Sequence, residues 1–389
     1  MRRTCVLINN SGLGGAERRL GRLFVTLVRS DEHSRLVVNA GLCRKLESAG
    51  VIASKEARVS RLFEPCGLLA KSIGLRSGVL SFWLQKLDYV LFACLLAVRY
   101  ALARRRLFHL ALGGVYVALP LMIFRPDHRF AISVTNRHLD RMVGVPRAVP
   151  IYRFALKRCT IVDALSEAVR ADLVERGIAP EKIFVAPGSV VDLDHYRPAP
   201  LKENWVVFAG RLVEEKNPLL FLEAASTILE AVPSAKFYLM GEGPLRNQIE
   251  KARSRLELEG AVELGFRSDL EQVLSKARVF LSLQRQDNYP SQSLLEAMAC
   301  GAVPVATDVG FTWQLVDETT GIRVKPDPEK IAEVVIHLLK DRQACDRLAQ
   351  AARLRVAERH SEEAYGAYLD VLYARLDQGN RTQEWNDRS

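Results

Sequence analysis

The chain has 389 residues, 49% of them hydrophobic and 26% charged, with a formal net charge of +10. That length suits two domains, and the balance excludes a globally disordered, collagenous or disulfide-scaffold protein. Its seven cysteines are scattered, odd in number and never spaced as metal ligands, which fits reduced thiols in a cytoplasmic protein.

The charge is unevenly spread. Residues 1–150 hold 24 Lys+Arg against 9 Asp+Glu, whereas residues 151–389 hold 31 against 36. A basic first half calls for an anionic partner: a membrane surface, a nucleic acid or a phosphorylated substrate. Plain solvated surface is the other reading. Met1-Arg2-Arg3 leads straight into Thr4-Cys5-Val6-Leu7-Ile8, too short for the apolar region of a secretory signal, so none is expected. Tyr89–Ala103 and Leu110–Phe124 are apolar runs of 15 residues. Both fall short of the ~20 needed to span a bilayer and are expected as buried or interfacial helices.

In chain order, Val6–Ile8 is a first strand, followed by the glycine-rich Asn10–Leu20 running into a helix. Its glycines at 12, 14 and 15 lack the third one of the dinucleotide fingerprint. They let backbone approach a ligand closely, or they simply make a turn. Ser34–Ala40 is a second strand, 41–80 has no clear period, and 80–106 holds one or two helices. Leu107–Leu112 is a strand, Gly113-Gly114 a turn and the segment to Phe124 a helix. Phe130–Thr135 is a strand ending in Asn136-Arg137-His138-Leu139-Asp140. Thr160–Leu165 leads into Ser166 as N-cap of a helix to about Arg176, and Lys182–Ala186 is a further strand. Alternation of strand and helix predicts a doubly wound parallel sheet.

The proline-rich stretch 187–200 marks a domain boundary, and a second alternating unit starts at Trp205. Its strands are 205–209, 236–240, 262–264, 277–283 and 303–307, with helices between them and a helical tail over 331–376. The last dozen residues are expected to be disordered. The division expected is 1–195, 196–362 and a C-terminal helix from 363 that returns to the first domain. Asp287–Gly301 is the stretch where chemistry is expected. Ser291 caps a short helix, Leu294, Leu295 and Met298 mark its buried face, and Gly301 stops it. A helix N-terminus at the carboxyl end of a parallel strand suits a phosphate. Glu296, one turn in, is placed to accept hydrogen bonds from a sugar hydroxyl, or is a solvated helical glutamate.

Five segments then fall in a familiar order: Phe208–Pro218 with Gly210-Arg211 and Lys216, Leu239–Pro244 with Gly241-Glu242-Gly243, Leu264-Gly265-Phe266, Leu294–Gly301, and Ala306–Gly310. Together they resemble the GT-B retaining glycosyltransferases of family four, over residues 160–360 closely and 1–160 loosely. The resemblance implies two Rossmann-like domains facing across a cleft, the first binding the acceptor and the second a nucleotide sugar. It assigns Arg211 and Lys216 to the donor diphosphate, where fixed cations stabilise the departing charge. Gly15, Gly241, Arg267, Ser293, Leu294 and Glu296 join them in holding the nucleotide sugar, with the Gly265–Arg267 loop facing the base. Gly14, Glu17 and His109 are assigned to the acceptor, and His138 to a catalytic position near the donor sugar. The family's first acid, usually eight residues before Glu296, meets Asn288 here, so Asp287 is given that role on the assumption of one inserted residue. Pro187-Gly188-Ser189 and Gln314 also depart from the pattern. Asp192-Leu193-Asp194 is discounted as a metal motif, because it sits in the linker.

What the resemblance implies is a cytoplasmic transferase, at the inner face of a membrane, needing no metal or cofactor and acting with retention. Its donor would be UDP- or GDP-linked and its acceptor a glycan or a lipid-linked sugar of surface polysaccharide or lipopolysaccharide assembly. No nucleic-acid partner is expected. The rival readings are a nucleotide-sugar 2-epimerase of the same fold and, from another class, a basic non-catalytic protein that binds membrane or nucleic acid.

Overall fold

A computed structural model describes residues 3–8, 15–53, 58–66, 79–135, 149–267, 269–287 and 289–378. The chain divides into unit 1, residues 1–187 with 365–389, and unit 2, residues 188–364. The first break falls before 188 rather than after 195 because the linker is already tied to unit 2. The Val191 amide donates to the His360 carbonyl (2.8 Å), and the Gln292 amide donates to the Val190 carbonyl (3.2 Å).

Unit 1 is built on a seven-stranded, wholly parallel sheet ordered β3-β2-β1-β4-β5-β6-β7. The strands are β1 (Arg3–Ile8), β2 (Arg35–Asn39), β3 (Val59–Leu62), β4 (Leu107–Leu112), β5 (Arg129–Val134), β6 (Ile161–Ala164) and β7 (Ile183–Val185). Helices α1 (Gly15–Ser30), α2 (Ala40–Ser48), α3 (Val79–Tyr100), α4 (Gly114–Val117), α5 (Leu119–Phe124), α6 (Val149–Arg158) and α7 (Glu167–Glu175) connect them. Central strands such as β4 and β5 are almost continuously buried, as strands covered on both faces must be. Ser166 caps α7 by accepting from the Val169 amide (3.4 Å).

The unreadable stretch 41–80 contains α2 and β3. A four-residue, half-exposed strand at the sheet edge has too little apolar pattern to announce itself. The run from Leu80 is one helix to Tyr100, and the segment after Gly113 is two short helices, α4 and α5.

Unit 2 repeats the plan with six parallel strands ordered β10-β9-β8-β11-β12-β13. These are β8 (Glu203–Ala209), β9 (Lys236–Met240), β10 (Val262–Gly265), β11 (Ala277–Ser282), β12 (Val303–Thr307) and β13 (Ile322–Val324). The helices are α8 (Pro218–Ala231), α9 (Arg246–Arg255), α10 (Leu270–Lys276), α11 (Gln292–Ala299), α12 (Pro328–Lys340) and α13 (Arg342–His360). Phe221, Phe237, Leu239 and Leu281 fill one face of the sheet, and Phe280, Leu295 and Met298 the other.

A last helix, α14 (Glu362–Gln378), belongs to unit 1 from Tyr365 onward. Tyr365, Leu369, Leu372 and Tyr373 are buried at helical spacing. Its tyrosines close a buried polar network. Tyr368 donates to Asp163 Oδ1 (2.6 Å), Ser133 donates to Asp163 Oδ2 (2.6 Å), and His109 joins Ser133 (2.8 Å) to Tyr373 (2.6 Å). Because Ser133 gives its proton to the carboxylate, it accepts from His109 Nε2–H, and Nδ1 accepts from the Tyr373 hydroxyl. Burial pulls the His109 pKa down to about 4, as a neutral ring held on both sides requires.

Candidate functional site

In both sheets the strand order reverses at the centre, between β1 and β4 and between β8 and β11. Ligands of open parallel sheets bind at the carboxyl ends of strands beside such a reversal. In unit 2 the loops there are 210–217 after β8 and 283–291 after β11, flanked by 241–245 after β9.

Backbone hydrogen bonds zip the first and third of these loops together. Gly210 N donates to Met240 O (2.9 Å), Leu212 N to Glu242 O (2.9 Å) and Leu245 N to Leu212 O (3.1 Å). Gly241, at φ +155°, is where the two loops cross, and a Cβ there would collide with the Gly210 carbonyl oxygen. Arg211 is exposed on this frame, and Lys216 is half-buried with its stem near Gly210. Burial, and then the nearby Arg211 charge, pull the Lys216 pKa down to about 8. Two neighbouring cations, one exposed and one partly out of water, form a ready anion site.

The β11 loop locks onto the same frame through Arg285. Its amide donates to Glu215 O (2.9 Å), its guanidinium donates to Asn217 Oδ1 (3.2 Å), and it pairs with Glu214 (3.4 Å). Arg285 is not among the residues expected at the site; its signal in the sequence is a cation two residues before Asp287 in a strand-end loop. Asp287 Oδ1 accepts the amides of Phe311 (3.0 Å) and Tyr289 (3.4 Å), joining the loops that follow β11 and β12. Gly310, at φ +53°, is the neighbour that leaves room, because a Cβ there would overlap Asp287.

Helix α11 starts where expected, with Ser291 at its N-cap position and the Leu295 amide donating to Ser291 O (3.1 Å). The cap is the backbone's alone, since the Ser291 hydroxyl makes no capping hydrogen bond. Glu296 lies one turn in, where its Oε1 accepts from Gln292 Nε2 (2.9 Å). Ser293 is half-buried and Leu294 buried, so Leu294 can offer a ligand only its backbone. Gln292 was also missed: it accepts from the Ser189 hydroxyl and donates to Val190 O, fastening the helix start to the linker.

Arg267, assigned to the nucleotide sugar, stands in an ion-pair cluster on the loop after β10. Its guanidinium already donates to both oxygens of Asp269 (2.9 and 2.8 Å) and to Glu263 (3.1 Å), and these carboxylates hold its charge in place. On that loop the open group is Phe266, 70% exposed. Asp192 makes a turn, its Oδ1 accepting the amides of Asp194 (3.1 Å) and His195 (3.0 Å).

In unit 1 the acceptor assignment of His109 is withdrawn. The ring is fully buried, and both nitrogens are engaged by Tyr373 and Ser133. Gly15 opens α1 and Glu17 is nearly buried in its first turn. His138 and Gly14 lie outside the described residues, as does the C-terminal tail beyond 378.

Comparison with known proteins bears on unit 2 first. Residues 194–355 match the family model for glycosyl transferases group 1. The alpha-D-kanosaminyltransferase of Streptomyces kanamyceticus is 27% identical over 279 residues, covering 67% of this chain and 72% of that protein. The UDP-Gal:alpha-D-GlcNAc-diphosphoundecaprenol alpha-1,3-galactosyltransferase of Escherichia coli is 30% identical over 205 residues, 47% of this chain and 50% of that one. Several other curated relatives are matched over only 34–58% of their own length. Among solved structures, Anabaena Alr3699/HepE in complex with UDP superposes with a TM-score of 0.73 at 17% identity, covering 96% of this chain and 100% of that chain.

Proposed function

We propose that this chain, whose residues 194–355 match the model for glycosyl transferases group 1 and whose two Rossmann-like domains match the GT-B fold, moves a sugar from a nucleotide-diphosphate donor to an acceptor hydroxyl. The observation that carries this reading is the Arg211–Lys216 pair, fixed on the loop after β8 beside the reversal of strand order.

In the proposed reaction the glycosidic C–O bond to the diphosphate breaks, and negative charge grows on the departing phosphate. Arg211 and Lys216 meet that charge directly, and the first-turn amides of α11, including those of Ser293 and Leu294, add the helix's positive end. The cations are already in place, so little reorganisation opposes charge development. Glu296 accepts hydrogen bonds from the ribose hydroxyls, and Gly241 lets the donor approach backbone. Phe266 and Arg267 lie on the loop assigned to the base. Asp287 positions the loop beneath the donor sugar through the Tyr289 and Phe311 amides. Attack comes from the face the diphosphate leaves, with retention, and the leaving phosphate oxygen takes the acceptor's proton. Unit 1, with Gly14, Gly15, Glu17 and His138, carries the acceptor, a glycan or lipid-linked sugar in surface polysaccharide or lipopolysaccharide assembly.

A donor screen tests this. The full chain is heated with UDP, GDP and their sugars; a ligand at a hundredfold its Kd adds about 2.7 kcal/mol of stability. One nucleoside diphosphate is expected to stabilise the protein, and its effect to be smaller at the same concentration in Lys216→Ala. Indifference to every nucleoside diphosphate overturns the reading.

A further inference from the structure

Helix α3 is largely apolar, yet among the described residues its own unit covers only one side. Asp88, Phe92, Leu96 and Tyr100 point into unit 1 and are buried. Opposite them Leu87, Val90, Leu91, Leu95 and Val98 are exposed, Val90 by 60% and Val98 by 79%, and Leu102 just beyond is exposed by 98%. A helix in water normally carries polar groups on that side. No helix among the described residues is long and apolar enough to cross a membrane, so this face does not belong to a span.

The patch extends past the helix. Helix α5 packs against α3, and Arg125 at its end donates to the carbonyls of Tyr100 (3.2 Å) and Ala103 (2.8 Å). That contact ties the end of α5, which carries the exposed Ile123 and Phe124 (78%), to the segment that carries Leu102. Helix α6 joins the same edge, with Arg158 donating to Met122 O (2.9 Å) and Ile151 and Phe154 exposed. A contiguous apolar surface of this kind marks an interaction site.

Charge identifies the partner. Residues 79–127 contain six Lys+Arg and two acids: Asp88 is buried and accepts from the Cys66 amide (3.0 Å), and the exposed Asp127 is paired with Arg125 (2.8 Å). Arg99, Arg104, Arg105, Arg153 and Lys157 all reach solvent around the patch. Exposed apolar side chains with an arginine collar, the one exposed acid of the segment being paired with Arg125, match a lipid surface carrying negative headgroups, whose acyl boundary takes the apolar groups and whose phosphates take the cations. A protein partner offering only an apolar groove would leave the collar unmatched.

We propose that the exposed face of α3, continued by Leu102, Phe124 and Phe154, docks unit 1 on an anionic lipid bilayer. The inference deepens the reading of a lipid-linked acceptor and rests on it for purpose, while its geometry stands apart from the donor site. The face lies along the surface with its apolar residues immersed and its arginines among the headgroups.

The test is flotation of the full chain with vesicles of phosphatidylcholine alone or mixed with phosphatidylglycerol, at low and high salt. Two variants accompany it: Leu95→Glu with Val98→Glu, and Arg99→Glu with Arg104→Glu. The wild type is expected to float with the anionic vesicles only and to be released by salt, and each variant to bind at least about tenfold more weakly. Thermal stabilisation by nucleoside diphosphate, read in parallel, is expected to be unchanged in both variants. That arm separates this proposal from the donor assignment and reports that the variants fold. A wild type indifferent to lipid charge, or variants that float like the wild type, overturns the proposal. So does a wild-type dimer that Leu95→Glu with Val98→Glu disperses without any vesicle binding, since a second copy would then own the face.

Discussion

Raising the pH from 7 to 9 removes the proton that the proposed diphosphate site depends on. With the Lys216 pKa pulled down to about 8, the amine is roughly nine-tenths charged at pH 7 and about one-tenth charged at pH 9. If only the charged form pairs with phosphate, affinity for the nucleoside diphosphate falls about tenfold over that range, with the bend near 8. An ordinary lysine, at 10.5, would stay charged throughout and give a flat profile. The ligand itself raises the amine's pKa, so binding above pH 8 takes up a proton, which buffers of different ionisation enthalpy reveal in titration calorimetry. Lys216→Gln is expected to bind weakly with no bend, and Lys216→Arg to bind with no bend but with much of the affinity kept. Affinity that holds to pH 9 in the wild type, or a bend that survives in Lys216→Gln, refutes the reasoning.

Three further predictions concern stability. His109 and His360 are buried and neutral, each with its pKa pulled down to about 4 by burial. Their contribution is complete above the unfolded value of 6.5 and is lost as the pH falls from there to 4, about 3 kcal/mol for each by linkage. Urea unfolding between pH 7 and 4 should show that slope, and His109→Asn should remove about half of it. Tyr368→Phe deprives the buried Asp163 of one donor and should cost about 1–3 kcal/mol in the same assay, leaving nucleotide binding intact. Gly241→Ala sets a Cβ against the Gly210 carbonyl and should cost at least about 2 kcal/mol, with loss of nucleoside diphosphate binding; a neutral effect would mean the two loops are not zipped as described.

How legible the molecule was depended on how local each feature is. Four strands of unit 2, β8, β9, β11 and β12, are mostly apolar runs of five to seven residues between turn signals, and 236–240 and 303–307 stand where those runs predict. Strand β13 has three residues and was not seen. Arg211, Lys216 and Glu296 could be named because loop position and family resemblance coincide, and the structure places all three in unit 2 around one end of one sheet. Partnerships between distant residues left no trace. Arg267 looks available until Glu263 and Asp269 are seen to hold it, and Asp287 shows its loop-tying bond only when Phe311 arrives from the next strand. The plainest case is His109, whose partner Tyr373 stands 264 positions away, so that no local pattern separates a reactive histidine from a core one.

The central claim is that Arg211 and Lys216 neutralise a departing diphosphate, and turnover with the donor identified by thermal shift tests it most directly. Arg211→Ala and Lys216→Ala, each folded by circular dichroism, are assayed at saturating donor. The account predicts a fall in kcat of about 10²–10³-fold for each, comparable to losing a preorganised donor to a developing anion. Wild-type turnover in either variant would contradict it.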